Sequence, residues 1–171
     1  LNNFNINFDF LSIDVDSIDY YIFKSLDVYR PKLICIEFNP TIPNDVHFVQ
    51  KDYSSNQGAS ALALIKLAKT KNYFPVCATD TNLFFIHANY KKYVIEDNNF
   101  GINDLIDDTE IKNYLFYGYD GSIFTSKEVR LPWHNFVVKD LNVLKWFLRK
   151  HPPQYNFLEK ILFKIYRRFK I

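Results

Sequence analysis

The chain of 171 residues contains no methionine and opens on Leu1. Translation needs an initiator, so the chain is expected to be a processed product or, on the strand order argued below, a piece of something longer. It has little net charge. Lys and Arg number 21 against 19 Asp and Glu, leaving +2, so no global field points to nucleic acid. Long apolar runs are missing: the longest is far too short to cross a bilayer, and no signal-peptide pattern leads the sequence. Cysteine is sparse. Cys35 and Cys77 each lie inside an apolar, strand-like run, so both are expected to be buried, and two buried thiols without secretory features fit a reduced, cytoplasmic setting. What the chain does have is apolar mass. With 48% hydrophobic and 18% aromatic residues it can build a real core, which excludes a disordered polypeptide.

Hydrophobic periodicity supplies an element order. A buried strand is expected over Phe8–Val15, then a helix over about Ile18–Tyr29, N-capped by Asp16 or Ser17, with Tyr21, Ile22, Ser25 and Leu26 on one face. Arg30-Pro31 breaks it. Lys32–Phe38, KLICIEF, reads as a second buried strand. A polar loop with Pro40 and Pro43 leads through Gly58-Ala59-Ser60 into a helix over about Ser60–Lys71, where Leu62, Ile65, Leu67 and Ala68 form a stripe. Phe74–Ala78, the turn Asp80-Thr81-Asn82 and Leu83–His87 read as a hairpin. Alternation of strand and helix with near-continuous apolar strands implies a parallel sheet covered on both faces, closed here by an antiparallel strand. Beyond Tyr90 the sequence predicts a short acidic surface helix at Asp104–Asn113, a turn at Tyr119–Ser122 between short strands, and a loop at Arg130–Asn135. Two further helices are expected, over Asp140–Lys150 and Asn156–Ile171. The α/β domain is placed at residues 1–135 and a basic helical extension at 136–171.

The stretch FLSIDVDSIDYYIF, Phe10–Phe23, sets Asp14, Asp16 and Asp19 at the mouth of a buried strand. Glu37 and Asn39 end the next one. If the two strands are parallel neighbours, about 4.8 Å apart, these oxygens converge at the carboxyl ends, where open α/β sheets bind ligands. Such a set suits a hard cation such as Mg²⁺, a substrate hydroxyl, or a general base. A structural role competes, because acids at strand ends cap the following helix, and Asp16 and Asp19 fit that role. Glu37 is harder to assign to capping: an acid flanked by apolar residues is costly to bury without a partner.

Several of these stretches, in this order, resemble FkbM-like methyltransferases. FLSIDVDSIDYYIFKSL followed by YRPKLICIEFNP, then QGASALAL, NLFFIHANY, YDGSI and LPWHN, are similar to motifs of that family over about residues 8–135. The resemblance implies the later half of a Rossmann-like class I methyltransferase sheet, strands four to seven of seven, with the last strand reversed. It implies S-adenosylmethionine as cofactor, bound in part beside Asp14 and Ser17, and O-methylation of a sugar or other small hydroxyl acceptor. The glycine-rich loop and ribose-binding acid of the family belong to its first two strands and have no counterpart here, so this chain alone is expected to be inactive. Ser17 stands where the family usually has Gly, which bears on close cofactor approach. In related metal-using O-methyltransferases, acids at the ends of strands four and five hold Mg²⁺. By that likeness Asp14, Asp16 and Glu37 are the candidate catalytic residues; Asp16, Glu37 and Asn39 would be metal ligands, and Asn39, Gln57 and Trp133 would contact the acceptor.

Other assignments remain open. Asp14-Val15-Asp16 is also an Asp-x-Asp, as in metal-dependent glycosyltransferases that bind nucleotide sugars, and a non-catalytic methyltransferase-like scaffold is a third possibility. A haloacid-dehalogenase phosphatase would need Ser or Thr ending the second strand, where Glu37-Phe38-Asn39 stands. His134, beside Trp133, is a candidate base in the acceptor pocket, or a hydrogen-bonded His under a loop. His47 and His87 have no partner at metal-ligand spacing. The tail NFLEKILFKIYRRFKI is basic and amphipathic; Asn156–Ile171 is expected either to dock on the domain or to touch an anionic membrane surface, which would place the protein at the inner face of the membrane.

Overall fold

The computed structural model describes residues 5–51, 56–94, 100–119, 122–131, 136–138 and 154–169. The chain separates into two compact units, Leu1–Lys112 and Asn113–Ile171. The division therefore falls ahead of the expected boundary at 135.

The first unit is a mixed α/β layer. Its strands are β1 (Phe10–Ile13), β2 (Leu33–Glu37), β3 (Tyr73–Ala78) and β4 (Asn82–His87); its helices are α1 (Asp19–Ser25), α2 (Ala61–Thr70) and the single turn α3 (Ile102–Leu105). The sheet order is β1-β2-β4-β3. β1 and β2 are parallel, with Phe10 beside Leu33 and Ile13 beside Ile36. β4 runs antiparallel to both β2 and β3, so it is the only reversed strand of the four. The expected parallel strands with a terminal antiparallel hairpin are present.

Alternation along these strands sends Ile13, Ile34, Ile36, Leu83 and Phe85 to one face, where they form a core with Phe23 of α1, Ala61, Leu64 and Ala68 of α2, and Tyr73. Phe23 is fully buried, stacked on Phe85 and edge-on to Tyr73, a burial that contributes roughly 2–3 kcal/mol. The other face carries exposed Phe10, half-buried Leu33 and Phe84, and buried Cys35 and Ile86; the 3-10 turn Ala88–Tyr93 sets Lys91 over the ring of Phe74 there, 4.7 Å from its centroid. The α-helices of the unit all lie on one face of the sheet, where α1, α2 and α3 contribute to one core. Topology gives the reason. The steps β1 to β2 and β2 to β3 progress in the same direction across the sheet, and right-handed crossovers in one direction lay their helices on one face.

Boundaries shift for local reasons. α1 covers Asp19–Ser25, shorter than expected, and its N-cap is Ile18 without a side-chain cap. Its fully buried anchor is Phe23, and of the predicted stripe Ile22 and Leu26 pack against the same core while Ser25 is exposed. α2 is firmly started: Ser60 Oγ accepts from the backbone N–H of Ala63 at 3.3 Å and of Phe48 at 3.0 Å. It ends on Asn72, whose φ of 63° is the left-handed C-terminal turn that Asn tolerates. Pro75 sits in β3, which pairs only with β4, beside a register shift between Pro75 and Cys77; an edge strand with an irregularity is where a strand proline is accepted. Cys77 is exposed, so only Cys35 meets the expectation of a buried thiol. The acidic segment Asp104–Asn113 is not one surface helix. Asp108 is buried, accepts the backbone N–H of Asn44 at 2.8 Å and pairs with Lys112 at 3.1 Å.

Among its described residues the second unit forms two short hairpins and a helix. β5 (Leu115–Tyr117) pairs antiparallel with β6 (Ile123–Thr125), and Phe116 stacks on Phe124. β7 (Val129–Leu131) pairs with β8 (Phe136–Val138). Arg130 and Leu131 therefore belong to a strand, not to the expected loop. α4 (Phe157–Phe169) opens on a reciprocal cap in which Asn156 Oδ1 accepts from Glu159 N–H and Glu159 Oε2 accepts from Asn156 N–H. The helix expected over 140–150 lies outside the described residues.

Candidate functional site

The parallel register fixes the site. Ser12 lies beside Cys35 and Ile13 beside Ile36, so the next step sets Asp14 beside Glu37, on the face of Ser12 and Cys35. The chain then turns at Asp16, which adopts a φ of 62°, a left-handed conformation that Asp accepts more readily than most residues. The carboxylate oxygens of Asp14, Asp16 and Glu37 lie within 4.8 Å of one another. Asp14 and Asp16 are exposed and Glu37 is half-buried.

Asp19 stands behind this cluster and holds the turn. It is 3% exposed, its Oδ1 accepts the backbone N–H of Val15 at 3.0 Å, and its Oδ2 accepts that of Ser17 at 3.2 Å. Neither Asp16 nor Asp19 caps α1 through its side chain: Asp19 braces the turn before the helix, and at the first residue of α1 its negative charge suits the helix N-terminus. The left-handed residue of the turn is Asp16 and not Ser17, so Ser in place of Gly carries no backbone strain here.

Electrostatics single out Glu37. Partial burial pushes its carboxyl above the ordinary 4.5, and the charges of Asp14, Asp19 and Asp16 push it further in the same direction. Neighbouring Cys35 is likewise raised by burial and by Asp14, against the lowering effect of a hydrogen bond with Ser12. Its thiol donates to Asn82 Oδ1 at 3.7 Å. A buried thiol held protonated is no nucleophile.

Asn39 and Gln57 stand together but serve the loop. Asn39 Nδ2 donates to the Gln57 carbonyl at 2.9 Å, and Asn39 Oδ1 accepts from both the backbone N–H and the hydroxyl of Thr41. Gln57 N–H in turn donates to Oε1 of buried Gln50, which also receives Gly58 N–H at 2.7 Å. Gly58 has a φ of 60°, the conformation that favours glycine at this turn into α2. The amide of Asn39 is thus committed to shaping the loop beside the cluster. Trp133 and His134 lie outside the described residues. His87 is half-buried against Tyr73, with ring centroids 5.0 Å apart, and its Nδ1 accepts from Asn89 N–H; His47 is exposed.

The donor set fits a hard cation. Three carboxylates offer only oxygen, and the exposure of two of them leaves room for the waters that Mg²⁺ retains. Of the residues expected beside S-adenosylmethionine, Asp14 is exposed and Ser17 half-buried in the turn after β1, and the sequence has no glycine-rich run. Sequence reasoning missed Asp19 as the clasp and the polar row of Ser12, Cys35 and Asn82 beneath the acids. The spacing was the available signal: Ser12 and Asp14 are two apart, as are Cys35 and Glu37, so each pair shares a face. Comparison of the chain with protein-family models, curated proteins and solved structures finds no match.

Proposed function

We propose that this chain is the acceptor-binding later half of a Rossmann-like, S-adenosylmethionine-dependent O-methyltransferase, and that Asp14, Asp16 and Glu37 receive a sugar or other small hydroxyl acceptor, with Mg²⁺ or without it. The observation that carries the reading is the convergence of the three carboxylates within 4.8 Å at the carboxyl ends of two parallel, adjacent strands. The sheet supports it further. Its last strand alone is reversed, as the family resemblance implies, and β1 stands at the sheet's edge beside a face that α1 and α2 leave open. A doubly wound sheet has further strands running the other way from such an edge.

Each residue then has a task. Asp19 fixes the turn that presents Asp14 and Asp16. Those two exposed carboxylates accept hydrogen bonds from the acceptor, or share Mg²⁺ with Glu37, in which case the ion would lower the hydroxyl's pKa and orient its oxygen. S-adenosylmethionine supplies an electrophilic methyl group. Without the ion, Glu37, with its proton affinity raised by burial and by the neighbouring acids, takes the proton that the acceptor hydroxyl gives up. Holding the hydroxyl still contributes as much as removing its proton.

The test is methyl transfer from radiolabelled S-adenosylmethionine to hydroxyl acceptors by the whole protein that carries this chain, with Glu37→Gln and Asp16→Asn. Each variant is expected to lose on the order of 10²-fold or more. Full activity in both would remove the cluster from the mechanism. Retention of labelled UDP-sugars instead of S-adenosylmethionine would assign the same carboxylates to a glycosyltransferase.

A further inference from the structure

α4 covers 13 residues, Phe157–Phe169, about 20 Å of helix. Phe157, Leu158, Ile161, Leu162 and Ile165 are each at least 40% exposed. At 100° per residue these five fall within an arc of about 140°. Lys160, Lys164 and Arg167 lie outside that arc on the side of Phe157, Arg168 falls just inside its rim between Phe157 and Ile161, and the single acid, Glu159, lies on the opposite side, where it is buried and engaged with the N-terminal cap. Among the described residues no helix is long and apolar enough to cross a membrane.

We propose that α4 is a docking helix for an anionic lipid surface, lying in the plane of the headgroups with Phe157, Leu158, Ile161, Leu162 and Ile165 inserted. Charge chooses this occupant. A second copy of α4 would bring four cations against four cations, which is repulsive. A bilayer of acidic lipids offers apolar depth and negative charge together, and the long stems of Lys160 and Lys164 beside the inserted arc, and of Arg168 at its rim, reach to the phosphates. The reading does not depend on what the carboxylate cluster binds, and the two fail separately.

The experiment is co-sedimentation of the whole chain with vesicles of phosphatidylcholine alone or with about 30% phosphatidylserine. Binding to the acidic vesicles is expected to be at least tenfold tighter and to weaken as salt rises. Charge reversal by Lys160→Glu with Lys164→Glu is expected to weaken it by on the order of tenfold or more. Ile161→Gln with Ile165→Gln removes insertion and is expected to abolish binding, while circular dichroism verifies that the helix persists. Equal binding to neutral vesicles, or wild-type binding by both variants, overturns the proposal. So does a lipid-free dimer that the double Gln variant dissolves, or binding to polyglutamate as tight as to acidic vesicles.

Discussion

Replacing Glu37 by Gln should stabilise the protein at neutral pH and above, because the carboxylate is held where folding does not favour it. At 4.8 Å or less from Asp14 and from Asp16, a charged Glu37 meets two repulsions of about 0.9 kcal/mol each in water. Salt screening at these exposed partners lowers the sum to about 1 kcal/mol. The sign follows from linkage. Glu37 is raised above its ordinary 4.5 in the folded state, so between that value and its native one the folded chain holds a proton that the unfolded chain releases. Stability therefore falls as pH rises through that window, and the full cost is present above it. Gln keeps the shape and removes the cost. Thermal melts at about pH 8 should show the Glu37→Gln variant some 2–4 °C above the wild type, with the gain shrinking as the wild-type carboxyl becomes protonated in acid. Adding about 10 mM Mg²⁺ should raise the wild type and leave the variant nearly unmoved, since a ligand stabilises only the state that binds it. A Glu37→Gln protein less stable than the wild type at the higher pH would refute the reasoning, for it would mean that the carboxylate has partners that reward its charge.

Two further perturbations read the scaffold. Tyr73 is 2% exposed and its hydroxyl donates to the Pro31 carbonyl at 2.7 Å, so Tyr73→Phe should cost roughly 1–2 kcal/mol, visible in a urea melt. Burial also pushes that phenol up to about 12; the folded chain keeps a proton that the unfolded chain loses from about 10, and stability contributed by Tyr73 should drain away as pH climbs through that interval in an ultraviolet titration followed by unfolding. Ser60→Ala removes an acceptor used by two backbone donors at the start of α2 and should destabilise by roughly 1–2 kcal/mol in the same melts, whereas Ser60→Thr or Asp should recover part of that.

How much of this was legible depended on whether a feature is encoded locally. KLICIEF and NLFFIH announce strands because β-branched and aromatic residues run unbroken, and GASALAL announces a helix because Ser60 precedes an apolar repeat. The antiparallel closing hairpin followed from a short turn between two such runs. The convergence of Asp14 with Glu37 was legible only on the condition that the two strands be parallel neighbours, a condition the register now meets. What could not be read depended on direction in space. Phe23 anchors α1 because Phe85 and Tyr73 lie beneath it, and both belong to strands about 50 or more residues away in the chain, a separation at which periodicity carries no signal. The same holds for the choice of face: nothing in the apolar strands of Leu33–Glu37 or Asn82–His87 says which side α1 and α2 will cover. That side is set by the direction in which successive crossovers advance. Asp19 illustrates the limit at one residue. Its sequence position suits a cap, yet the donors it receives come from Val15 and Ser17 before the helix, not from within it. The acid that sequence alone would credit to the helix is spent instead on the turn, and by holding that turn it leaves Asp14 and Asp16 exposed beside Glu37.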